Sequence, residues 1–106
     1  MNSKRLKLLE EYLQKDPDDP FNLYAIATEY RNSNPDKALE LYYELLRKHT
    51  QYLPTYYQAA TLLGDMEKND EAEKIFKQGI ELAQQQSNAL TLRELQSAYN
   101  ELLFED

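Results

Sequence analysis

Apolar residues recur at helical spacing along nearly the whole chain, and the pattern is clearest between residues 34 and 46. There Ala38, Leu41, Tyr42 and Leu45 fall at i, i+3, i+4 and i+7, one face of a 3.6-residue period. Asn34 precedes the pattern and can cap a helix, because its side-chain oxygen can accept from the free N–H groups of the first turn. Pro35 follows, at the one helical position where a missing N–H costs nothing, and Asp36 suits the positive end of the helix dipole.

The same reading extends in both directions. Leu6, Leu9 and Leu13 form a stripe that Leu8 and Tyr12 widen, predicting a first helix over residues 3–15. Lys4, Arg5 and Lys7 oppose the dipole at its start, so fraying is expected there. Asp16-Pro17-Asp18-Asp19-Pro20 ends it, since the residue before a proline is pushed out of helical geometry. Asp19 then caps a second helix with Pro20 at its first position, burying Leu23, Ile26, Ala27 and Tyr30. A fourth helix from Leu53-Pro54 buries Tyr56, Ala59, Ala60 and Leu63. Asp70 and Glu73 have the spacing of a capping box, which places the start of a fifth helix there, with Ala72, Ile75, Phe76, Gly79 and Ile80 inward. A polar break over 84–88 leads to a sixth helix carrying Leu92, Leu95, Tyr99 and Leu102 on one face. Short connections make neighbouring helices antiparallel.

The pattern repeats. In the second half of each hairpin Ala38, Tyr42 and Leu46 return 34 residues later as Ala72, Phe76 and Ile80. In the first half the offset is 33: Leu23 with Tyr56, Tyr24 with Tyr57, Ala27 with Ala60, Thr28 with Thr61. One residue is missing from the first hairpin's turn. Two glycines and four prolines among 106 residues leave little room for β-hairpins, so the fold class expected is all-α.

Such a unit resembles the tetratricopeptide repeat, a 34-residue helix–turn–helix. The first unit supplies Leu23, Ile26, Ala27 and Tyr30, then Ala38, Tyr42 and Leu45; the second supplies Tyr56, Ala59, Ala60 and Leu63, then Ala72, Phe76 and Gly79. Pro17 matches the closing proline of a preceding half unit. The resemblance implies a single domain over 1–106, with a helix at 3–15, repeats at 20–50 and 53–85, and a capping helix at 88–104. Its implied form is a short right-handed solenoid of stacked antiparallel hairpins. Hairpins amphipathic on both helices cannot bury their faces alone, and stacking with shielded ends gives them a core. Three features depart from the family pattern: Thr50 stands where a closing proline is usual, Leu45 is bulky where a small residue is usual, and the family's Trp is absent.

Charge narrows the choice of partner. The net charge is −7, and residues 54–106 carry 4 Lys+Arg against 10 Asp+Glu, while residues 1–53 are nearly balanced. Nucleic-acid binding needs clustered cations to displace counterions, so a polyanion is not expected; a basic peptide would be attracted, and solubility alone is the plainer reading of the charge. No apolar run is long enough to span a bilayer, and no signal peptide is read at the start, so neither a membrane nor export is expected. The absence of Cys removes disulfides and thiol chemistry and suits a cytoplasmic setting. His49 is the only histidine, so no zinc site or histidine triad can be assembled. Asp65, Glu67, Asp70, Glu71 and Glu73 lack the calcium-loop pattern and read as a solvated corner; Gly64 and Gly79 are isolated, with no phosphate-binding loop. No catalytic residue, metal or cofactor is expected.

The resemblance places the concave face on the first helix of each hairpin. Its exposed positions are Phe21, Tyr24, Ala25, Thr28 and Arg31 in one unit and Tyr57, Gln58, Thr61 and Asp65 in the other. Tyr24/Tyr57 and Thr28/Thr61 would form a ladder of rings and hydroxyls for a peptide or helix of another protein. The alternative is that these tyrosines fill the space between helices. Lys and Asn, which the family's carboxylate clamps use, are not at these positions, so an acidic chaperone tail is not the expected ligand. The function expected is non-enzymatic protein–protein interaction; self-association into a homo-oligomer through terminal helix faces is the second reading.

Overall fold

A computed structural model describes residues 3–104. Six helices follow in order: α1 (Ser3–Lys15), α2 (Pro20–Tyr30), α3 (Pro35–Lys48), α4 (Pro54–Asp65), α5 (Asn69–Gln85) and α6 (Ala89–Leu103). The architecture is all-α and built of antiparallel helix pairs, as the pattern predicts. The helices gather into two compact units, Met1–Tyr52 and Leu53–Asp106. In the first, α2 packs against α1 and α3; in the second, α5 packs against α4 and α6, and α6 also touches α4.

Two of the corners form as their side chains dictate. Asp19 Oδ1 accepts from the Phe21 amide at 2.9 Å, and Asn34 Oδ1 accepts from the Lys37 amide at 3.2 Å, each with proline in the first turn. Asn88 caps α6 in the same manner, accepting from Thr91 at 3.0 Å.

The start of α5 corrects the sequence reading. The helix begins at Asn69, its N-cap is Lys68, and no side chain caps it. The end of α4 forces this. Glu67 adopts φ +61°, the Glu67 amide bonds to the Gly64 carbonyl, and the Lys68 amide bonds to the Leu63 carbonyl at 2.9 Å. This paired closure is a Schellman motif, and it delivers the chain into α5 one residue before Asp70. The polar break after α5 closes identically. Ser87 adopts φ +55°, with bonds from Ser87 to Gln84 and from Asn88 to Ala83. The first hairpin turns differently, the Asn34 amide reaching back to the Tyr30 carbonyl at 2.7 Å, and needs one residue fewer. That accounts for the shift from 33 to 34 between the halves of the repeat.

The core follows the predicted stripes in outline, though α3 buries Leu39 while Leu41 is half-buried, and α5 adds Leu82 and Ala83 to its buried face. Ala27, Ala38, Tyr42, Leu45, Ala59, Ala60, Leu63, Ala72 and Leu95 are fully enclosed. In α1 only Leu9 is buried, and Leu8 and Tyr12, expected to widen the stripe, are exposed. The buried face of α4 is wider than one stripe, because Thr55 and Leu62 are enclosed in addition to Tyr56, Ala59, Ala60 and Leu63. Gly79 lets α5 lie close against α4: a Cβ there would lie 2.7 Å from the Tyr56 Cβ.

Candidate functional site

The candidate residues of the first unit lie on α2 and at its end. Tyr24, half-buried, meets the Tyr52 ring edge-on at 5.6 Å and the Tyr42 ring at 6.3 Å between centroids. The Thr28 hydroxyl lies 2.8 Å from the Tyr42 hydroxyl. Burial pushes the Tyr42 phenol above its ordinary range, against the hydrogen bond to Thr28, which pulls it down. Burial also raises Tyr52, aided by Tyr24 and Asp19. Tyr24 and Thr28 are thus joined to an aromatic cluster. Phe21 stands free at 56% exposure, and Arg31 is half-buried where α2 ends.

In the second unit the equivalent residues behave otherwise. Thr61 donates its hydroxyl back to the Tyr57 carbonyl at 2.8 Å, with the Gln58 carbonyl at 3.2 Å. The reason lies in the partner helix, where Phe76 replaces Tyr42 and offers no hydroxyl. Tyr57 and Gln58 are half-buried. Tyr57 borders two adjacent hollows between α4 and α6. One, of about 310 Å3, is lined by the large Tyr57, Phe76 and Leu102, the small Ala60, Gly64 and Ala98, and the acidic Asp65, Glu67 and Glu101. The other, of about 390 Å3, continues past Tyr57 to Arg93, Glu94 and Ser97, sharing Ala98 and Glu101 with the first.

The α6 side of this surface is absent from the sequence-derived site, which assigned α6 wholly to capping. Its capping face is real: Leu95 is enclosed, the Tyr99 ring stacks on Phe76 at 5.8 Å, and the Tyr99 hydroxyl donates to Glu73 Oε1 at 2.7 Å. The neighbouring edge of the helix carries Ala98, Glu101 and Leu102. The usable signal in the sequence is the set of small residues Ala60, Gly64 and Ala98, which leave a space that larger side chains would fill.

The hydrogen bond from Tyr99, then Lys77 at 3.3 Å, holds the Glu73 carboxyl below the usual range and raises both partners. Among the described residues, no group of three or more His, Cys, Asp or Glu could hold a metal ion. Nor is any described helix long and apolar enough to cross a membrane.

A family model described as tetratricopeptide repeat matches residues 29–95. The chain belongs to the tetratricopeptide repeat family. Among solved structures, it is similar to a solution structure of a tetratricopeptide repeat domain protein from Salinibacter ruber. Identity is 34% and the TM-score 0.80, over 86% of this chain and 93% of that one. A crystal structure of a tetratricopeptide repeat domain protein from the same organism gives 34% identity and a TM-score of 0.78, over 83% and 99%. No curated protein matches. This tetratricopeptide repeat chain is a non-enzymatic helical module of the kind that mediates protein–protein contact.

Proposed function

We propose that the exposed face of α4 binds a peptide or helix of another protein, with Tyr57 as the main anchor, and that α2 offers a like face within its own unit. The observation that carries this is the position of Tyr57: half-buried and bordering both hollows of the α4–α6 surface. A large, stiff ring with a polar tip beside an open hollow of mixed polarity suits an anchor in protein recognition. Gln58 and Thr61 flank it on the same helix. Phe21, Tyr24, Thr28 and Arg31 form the corresponding face of α2, where the aromatic cluster gives Tyr24 a packing role as well. The acidic balance opposes nucleic acid and anionic membrane surfaces, and the absence of Cys suits the cytoplasm.

Peptide selection from a random display library on the immobilised chain tests the reading. Selected peptides should bind Tyr57→Ala about 30-fold more weakly, the cost of a lost anchor. Thermal melting should show that variant folded and more stable than Phe76→Ala. Equal binding to Tyr57→Ala, or no enriched peptide, overturns the proposal.

Self-association is favoured by one feature, the exposed apolar residues of α6 and its end: Leu90 at 65%, Leu103 at 49% and Phe104 at 82%. Sedimentation velocity across a concentration series tests it. A weight that rises with concentration and stays fixed in Leu90→Ser with Phe104→Ser supports this reading, and a constant monomer weight excludes it.

A further inference from the structure

We infer that the α4–α6 hollow selects a cationic segment, a peptide or helix that places a lysine or arginine against Asp65, Glu67 and Glu101. This deepens the reading of that surface as a recognition site and rests on it. The argument starts from shape. A hollow of about 310 Å3 is within the size range that accommodates a ligand group, and the small Ala60, Gly64 and Ala98 in its lining leave room for a methylene chain. Phe76 and Leu102 supply apolar walls. A Lys or Arg side chain has this dual character, an apolar stem that lies on apolar surface and a charged head that stays at the wet edge.

Charge then decides the occupant. The three charged side chains bordering the hollow are all carboxylates, and Glu67 and Glu101 form no ion pair among the described residues. Lys68 follows Glu67 in the chain and is exposed, but neither it nor any other Lys or Arg lines the hollow. The basic residues of α5, Lys74 and Lys77, are exposed, and Lys77 is engaged by Glu73. Arg93 alone borders the adjoining hollow, beside Glu94. The half of the chain that holds the hollow carries most of the net negative charge. An acidic segment would meet like charge at each bordering side chain, whereas a cationic one would be steered in.

The test uses the whole chain, isotopically labelled, and three synthetic peptides: alternating lysine and alanine, the same with serine for lysine, and the same with glutamate for lysine. The lysine peptide should give saturable amide shifts at Thr61, Gly64 and Ala98, weakening as salt rises. The glutamate peptide should give none. Glu101→Gln should weaken the lysine peptide about threefold and Glu101→Lys about tenfold, as loss and reversal of a partly exposed charge pair imply. Glu101 is exposed, so both variants should melt as the parent does. Equal binding of the serine peptide overturns the charge selection while leaving the recognition surface standing. So do display-selected peptides that depend on Tyr57 but carry no cation. Unsaturable shifts spread over Asp70, Glu71 and Glu81 also overturn it, because they report only attraction to an acidic protein.

Discussion

The two glycines of the second unit undergo the same substitution with opposite expected outcomes. Alanine at Gly79 places a methyl 2.7 Å from the Tyr56 Cβ, 3.3 Å from the Tyr56 Cγ and 3.3 Å from the Leu95 Cδ1. The Leu95 terminus can rotate aside. Two Cβ atoms cannot, because both are fixed to backbone, so α4 and α5 must separate. Overpacking of this kind costs about 1–3 kcal/mol, and the better helix propensity of alanine returns roughly 1 kcal/mol. The expected result is a net loss of up to about 2 kcal/mol, about 1 kcal/mol at the middle of the range. At Gly64 the nearest atom to an added Cβ is the Leu102 Cδ1 at 3.5 Å, an ordinary contact. Only the propensity effect remains, a gain of about 0.5–1 kcal/mol. Urea denaturation of both variants beside the parent measures the pair. Gly79→Ala as stable as the parent would show that the hairpin is not packed as described. Gly64→Ala equally destabilising would show that glycine is needed there for something other than space.

Three further outcomes are expected. Ser87→Gly and Glu67→Gly should each gain about 0.5–1 kcal/mol, since both positions hold positive φ that glycine adopts freely, and a loss of stability would remove the Schellman closures from the account. Thr55→Val should be neutral or stabilising by up to about 1 kcal/mol, because the Thr55 hydroxyl is enclosed without a hydrogen-bond partner; chemical denaturation showing a clear loss would mean that the hydroxyl is bonded. Tyr99→Phe should let the Glu73 carboxyl titrate closer to its ordinary value by NMR, since the phenol is the largest cause holding it down. A depressed carboxyl stabilises the fold above its unfolded pKa and loses that contribution as pH falls through the folded value, so the variant should lose less stability on acidification. An unchanged titration in the variant would refute the bond's role.

Much of the fold was legible because a few side chains act locally. Asp19-Pro20 and Asn34-Pro35 set their corners through chemistry confined to one turn. The start of α5 was misread for the converse reason. The Asp70/Glu73 spacing is a local signal, but the Schellman closure of α4 had already fixed where the chain re-enters a helix. Nothing in a Glu or a Ser announces positive φ, so Glu67 and Ser87 were silent in the sequence. At the candidate site, Thr28 and Thr61 look equivalent by spacing. They differ because their opposing residue is Tyr42 in one unit and Phe76 in the other, a contrast present in the sequence but meaningful only once helices face each other. Hydrophobic periodicity places Leu102 on the packing face of α6 but is silent on Ala98 and Glu101 at the edge beside it, which also line the hollow.

A partner docking on this chain should meet the exposed surface of α4. Site-specific photo-crosslinking tests it most directly, with a photoreactive phenylalanine derivative placed at Thr61 in one variant and at Lys74, exposed on α5, in another. Both variants would be expressed in the source cell, with adducts resolved by mass. The account predicts a discrete protein adduct from position 61 and none from position 74. An adduct from position 74 alone, or equal adducts from both, would contradict it.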